Sequence, residues 1–140
     1  MTPEQIFSIT NTLAVLCWIL LAILPNRRWV TDIVTGKAAP ALFAIIYIGI
    51  VVSTFGQSEG SFSTLAGVTT LFQNPWLLLA GWLHYLAFDL LIGTWEARDA
   101  VKRAVPRLLL VPCLFLTLMF GPAGWLLYML VRTRYAGARP

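Results

Sequence analysis

The stretch from Asn74 to Asp99, NPWLLLAGWLHYLAFDLLIGTWEARD, sets the tightest limit on what this chain can become. Its apolar body is long enough to cross a bilayer as one helix, which takes about 20 residues at about 1.5 Å of rise each. Yet His84 and Asp89 stand near its middle, and Glu96, Arg98 and Asp99 near its end. At about 100° per residue, with His84 at zero, Asp99 falls at ~60°, Tyr85 at ~100°, Glu96 at ~120°, Asp89 at ~140° and Trp82 at ~160°. Leu79, Leu83, Leu86, Ala87, Leu90, Leu91 and Thr94 fill the opposite arc. Ionisable groups at bilayer depth are costly, so they turn towards protein, find partners and mark function. The pattern predicts a membrane-crossing rod with one polar face turned inward.

A rod of this kind needs neighbours, and the composition supplies them. Hydrophobic residues make up 59% of the 140 residues, against about 45–50% in soluble domains. Charged residues make up 11%, too few to cover a soluble surface of this size. The chain therefore reads as all-α, a single domain over residues 1–140: a polytopic membrane bundle of four transmembrane helices. The spans fall at about residues 3–24, 40–54, 75–96 and 107–131 by length and breakers. Pro122 removes a helical hydrogen bond, so the last span is kinked or broken at Gly121-Pro122. Residues 61–73 read as a helix too short to span, lying along the interface or covering a cavity from above, after a break at Gly56–Ser61. Thr2-Pro3-Glu4-Gln5 is a capping signal rather than the basic start of a cleaved signal, so the first span is expected to be retained. Asn74 is an N-cap and Pro75 the first residue of the third span.

Ten Lys and Arg outnumber six acids, but they cluster beside apolar spans, where they answer to lipid head groups and topology rather than to nucleic acid. Loop one (residues 26–39, with Trp29 as an interfacial anchor) and the connection after the third span are basic. Four spans then put both on the cytoplasmic side and both termini outside. The tail, with Arg132, Arg134 and Arg139, is basic too, which fits four spans only as an exception; a chain turned back at Gly121-Pro122 is the alternative. Cys17 and Cys113 sit in apolar segments with no metal or redox spacing and read as buried small residues.

The chemistry lies on the third span. Tyr85 precedes Asp89 by one turn, and Glu96 follows it by two. His84 is the only histidine and flanks the same groove. A carboxylic acid kept neutral in an apolar site can donate a proton, and a second carboxylate or an imidazole can accept one. Asp89, His84 and Glu96 are the candidate catalytic residues; Trp82, Tyr85, Asn11 and Asn74 the candidate substrate contacts. Ser8, Asn11 and Thr12 share one face of the first span, suited to interhelical hydrogen bonds. Structural readings compete: Asp89 paired only to fix packing, His84 bonded to a carbonyl, and Glu96, Arg98 and Asp99 as a solvated cluster at head-group level. With one histidine and no Glu-x-x-His pattern, no metal site is expected.

The run Gly81-Trp82-Leu83-His84-Tyr85-Leu86-Ala87-Phe88-Asp89-Leu90, with Asp99 downstream, resembles the abscisic-acid-deficient-four-like family of small membrane proteins. The resemblance extends to the Pro25 turn, the Asn74-Pro75 start and the Gly121-Pro122-x-Gly124 element. Its specific part is Trp-x-His-x4-Asp-Leu. Plant members are required to make neoxanthin from violaxanthin; they carry an Arg near the place of Thr94 and no carboxylate at that of Glu96. Without a plastid transit segment, this chain is more similar to the bacterial relatives, which implies a bacterial inner membrane. Neoxanthin formation is a redox-neutral isomerisation: an epoxide opens and a neighbouring polyene carbon loses a proton to give an allene. The resemblance thus implies a membrane isomerase of carotenoids or other isoprenoids that needs no cofactor, with Asp89 as donor and His84 as base. A binder of carotenoid or lipid that assists another enzyme is the alternative, and a homo-oligomer is left open.

Overall fold

A computed structural model describes residues 1–54, 56–57 and 59–135. Among them the chain is helical, with no strand. Ser58 of the expected Gly56–Ser61 break and Arg139 of the basic tail lie outside the described residues.

Helix α1 covers Pro3–Ile23. The Thr2 hydroxyl accepts from the Gln5 N–H at 3.3 Å while the Gln5 side chain accepts from the Thr2 N–H at 3.0 Å, so two orphan donors are satisfied reciprocally. Residues 26–39, expected as a loop, are instead mostly helix. Trp29–Ala38 is wound as a π-helix and runs unbroken into α2, Ala39–Thr54. The second apolar helix is therefore 26 residues long, not the fifteen or so read from the sequence. The wider turn has partners to hold it. The Thr35 hydroxyl donates to the Val30 carbonyl, five residues back, at 3.1 Å, and Arg98 donates to the Thr31 carbonyl. Carbonyls loosened from the α-pattern are thus satisfied by side chains.

Helix α3, Leu65–Phe72, is capped by Thr64, whose hydroxyl accepts from the Gly67 N–H at 3.0 Å. Eight residues cannot span a bilayer. Helix α4, Pro75–Arg103, starts where Asn74 caps it, its side-chain oxygen accepting from the Trp76 N–H at 2.9 Å. Every other helix packs on α4. Its Leu79, Leu83, Leu86 and Leu90 are buried in one core with Trp18 and Leu21 of α1 and Phe43 and Ile50 of α2. These leucines all belong to the arc opposite the polar face.

The last apolar stretch corrects the expectation of four spans. Helix α5, Arg107–Phe120, and helix α6, Pro122–Arg132, are separate and antiparallel. At 14 and 11 residues, neither reaches the ~20 a crossing needs. Pro122 has no N–H to continue α5, and Gly121 takes φ +42°, a value that side chains resist, so the chain reverses rather than kinks. Gly124 then packs so closely on the Thr117 backbone that a Cβ has no room. The hairpin comes back to where it began. Arg132 of α6 pairs with Asp99 of α4 at 2.9 Å, and Arg103 donates to the Tyr135 carbonyl at 3.2 Å. Its tip lies against Asp89, fourteen residues from either end of α4. Three helices, α1, the π–α2 rod and α4, are long and apolar enough to cross a membrane, and a half-depth hairpin leans on the third.

This connectivity removes the anomaly of the basic tail. Apart from Arg139, all the Lys and Arg lie in segments at the α4 C-terminal end. Among the described residues, the opposite end carries Glu4 and Glu59 and no Lys or Arg.

Candidate functional site

Pro122 leaves the Leu118 carbonyl of α5 without its helical donor four residues on. The Tyr85 hydroxyl supplies one, donating to that carbonyl at 2.6 Å. One phenol thereby pins the hairpin to the middle of α4. The Tyr85 side chain also interacts with the Asp89 carboxyl one turn further along α4.

Asp89 faces the hairpin tip. A Cβ built on Gly121 would stand 3.0 Å from its Oδ1, so glycine is what lets the backbone approach. Its Oδ2 is buried and, among the described residues, has no hydrogen-bond partner. Buried polar atoms are nearly always paired, and the exceptions concentrate where chemistry or a bound group accounts for them. The carboxyl also lies beside the amino end of α6, whose first N–H groups have no helical acceptors.

From Asp89 a row of rings leads along α4 and onto α1. Tyr85 packs against Trp82 with centroids 5.2 Å apart, and Trp82 against Phe7 at 5.6 Å. The Trp82 indole donates to Asn11 Oδ1 at 2.7 Å, the interhelical bond expected of Asn11. Thr12 turns back instead to the Ser8 carbonyl of its own helix, at 2.9 Å. Above this row, Pro3, Phe7, Leu78 and Trp82 line a cleft of about 430 Å³ between α1 and α4.

His84 does not share this wall. Its exposed ring packs on Phe88 at 4.7 Å and on Tyr47 of α2 at 6.1 Å. It lines a different cleft of about 550 Å³ enclosed by α2, α3 and α4, with Phe72, Leu77 and Gly81. The ~140° read between His84 and Asp89 turns the two side chains to different sides of α4, with the exposed Phe88 and Ile92 between them. Tyr85, Trp82 and Asn11 are gathered about Asp89; Asn74 sits fifteen residues earlier as the α4 cap.

Glu96 is not at head-group level with solvent around it. It is 0% exposed, wedged between α4 and α5, its oxygens 3.0 and 3.1 Å from the Thr117 hydroxyl. An ion-pair cluster is made by its neighbours, part-buried at Asp99 and more open at Arg98. Asp99 takes Arg103 at 3.0 Å, Arg132 at 2.9 Å and the Tyr128 hydroxyl at 2.8 Å, and Arg98 takes Asp32 at 3.0 Å. Arg132 also lies over the Trp95 ring at 5.3 Å. Among the described residues, no three His, Cys, Asp or Glu side chains gather as a metal centre.

Three participants escaped the sequence reading: Gly121 as the surface Asp89 faces, the Leu118 carbonyl as the anchor of Tyr85, and Thr117 as the partner of Glu96. The first two had a signal, because a proline at 122 orphans the carbonyl at 118. Chemically, the site is one unpaired carboxyl oxygen beside a phenol, at the foot of an aromatic wall, suited to exchanging a proton with an oxygen on an apolar molecule.

A family model described as ABA DEFICIENT 4-like matches residues 5–128. No curated protein and no solved structure matches the chain.

Proposed function

The chain belongs to the ABA DEFICIENT 4-like family, and from that premise we propose that it is a membrane-embedded acid–base enzyme, an isomerase or a relative of one, acting on a carotenoid or other isoprenoid. The observation that carries the reading is the buried, unpartnered Oδ2 of Asp89 at the hairpin tip. Asp89 gives its proton to a ring oxygen of the substrate as a carbon–oxygen bond opens. A neighbouring polyene carbon loses a proton in the same conversion, so atoms and charge balance with no electron carrier. Tyr85 and Trp82 hold the ring end, Asn11 fixes the Trp82 indole, and Glu96 sets the α4–α5 contact on which the tip depends.

The base is where this reading departs from the pattern in the sequence. His84 opens into the α2–α3–α4 cleft, so it accepts a proton only from a substrate that reaches around α4. Asp89, a carboxylate once it has donated, is the acceptor already at the reacting end. The separation of His84 from Asp89 is also what favours the second reading, a holder of carotenoid or lipid with no turnover.

Expression in carotenoid-producing cells separates the two. Asp89→Asn keeps the shape of the side chain and is expected to leave the protein folded and in the membrane but to abolish conversion of bound pigment. Conversion at the parent rate would reject Asp89 as the acid. Pigment that is bound and never altered, by either protein, would favour the holder.

A further inference from the structure

α5 and α6 rise from the basic end of the bundle only to the level of Asp89. Past Tyr85, towards Pro75, the ring-bearing side of α4 has α1 beside it and no continuation of the hairpin among the described residues. The seam there is open: Leu78 is 55% and Phe7 41% exposed. Lys and Arg are retained on the cytoplasmic side of membrane proteins, so the basic end marks that side and the open seam falls in the other half of the bilayer.

We propose that Asp89 is served from the non-cytoplasmic leaflet, through the α1–α4 seam, by a long, uncharged, apolar molecule that slides an oxygen-bearing ring end past Trp82 and Tyr85 to the hairpin tip. The proposal rests on the reading of Asp89 as the reactive acid and adds the route and the charge of its ligand. Three observations support it. The rings of Phe7, Trp82 and Tyr85 form a continuous wall from the seam to Asp89, and flat or edge contacts between rings suit a conjugated guest. The mouth carries Glu4 with no Lys or Arg beside it among the described residues, which disfavours a phosphate or carboxylate head group. From the cytoplasmic half, the way to Asp89 is filled by the hairpin, where Thr117, Gly121 and Gly124 are buried.

Two measurements on the full chain in a bacterial inner membrane test this. The native Cys17 and Cys113 are buried, so Gln57→Cys and Thr133→Cys, both at exposed positions, report sidedness to a membrane-impermeant maleimide. Gln57→Cys should label in intact cells and Thr133→Cys only after permeabilisation. Labelling of Thr133→Cys in intact cells would overturn the orientation. In proteoliposomes offered a carotenoid epoxide, Leu78→Trp should retain at least about tenfold less pigment than the parent, while Val101→Trp, at a 50% exposed position on the basic half of α4, should retain as much. Equal retention by Leu78→Trp would overturn the seam route. Normal retention with no conversion by the parent would instead overturn the enzyme reading and support the seam, and no retention by the parent would overturn both.

Discussion

At the scale of single residues, the site depends on one side chain making good a defect made by another. Pro122 strips the Leu118 carbonyl of its donor, and the Tyr85 hydroxyl replaces it from a different helix. Leaving a buried acceptor unpaired costs about 1–3 kcal/mol, and little water is at hand inside a bilayer to take over. Tyr85→Phe should therefore lower stability by about that amount, read as an earlier thermal transition in detergent. An unshifted transition would mean that the bond contributes nothing to seating the hairpin. Glu96 shows the same logic from the acceptor's side. Among the described residues its hydrogen-bond partner is the Thr117 hydroxyl, which is also 2.9 Å from the Cys113 carbonyl, so one proton is shared among three oxygens.

At the scale of elements, the α5–α6 hairpin turns a surface aspartate of a helix into a site. Gly121 is required twice over, for φ +42° and for the space at Asp89 Oδ1. A side chain in left-handed backbone costs about 1–2 kcal/mol. Gly121→Ala should lose at least about that much stability and push the tip away from Asp89, so activity should fall with Asp89 intact. Full stability together with full turnover would refute the close approach. The other end of the hairpin is fastened by Asp99, which binds Arg103, Arg132 and Tyr128. Anchored at its base and pinned by Tyr85 near its tip, the hairpin presents Gly121 to Asp89 at a fixed height along α4.

At the scale of the whole molecule, the outward faces suit a lipid-embedded bundle. Ile45, Ile48 and Val52 of α2 are 67%, 56% and 72% exposed, and Phe115 of α5 is 59% exposed. Apolar surface of this kind marks a membrane or protein contact, and three helices long and apolar enough to cross a bilayer favour the membrane. Alkaline carbonate, which strips peripheral proteins, should leave the chain in the membrane pellet, with release only by detergent. Recovery in the carbonate supernatant would refute insertion.

The sequence by itself settled what depends on composition and short-range rules. Apolar runs, the caps at Thr2 and Asn74, and the Gly121-Pro122 break are local, and the helices they announce are present. The arc of leucines on α4 was legible for the same reason, because one period of 3.6 residues fixes which side chains share a face. Tertiary structure decided the rest. Whether Gly121-Pro122 kinks a span or reverses the chain depends on what waits on either side, here Tyr85 for an orphan carbonyl and Asp99 for Arg132. Whether residues 29–38 form a loop or a π-helix depends on Arg98 and Thr94, some sixty residues away, meeting Thr31 and Thr35. And whether an imidazole and a carboxyl ~140° apart on a helix share a cavity depends on which elements pack on each, here α2 and α3 at His84 and the hairpin tip at Asp89, a matter of contacts that no single segment contains.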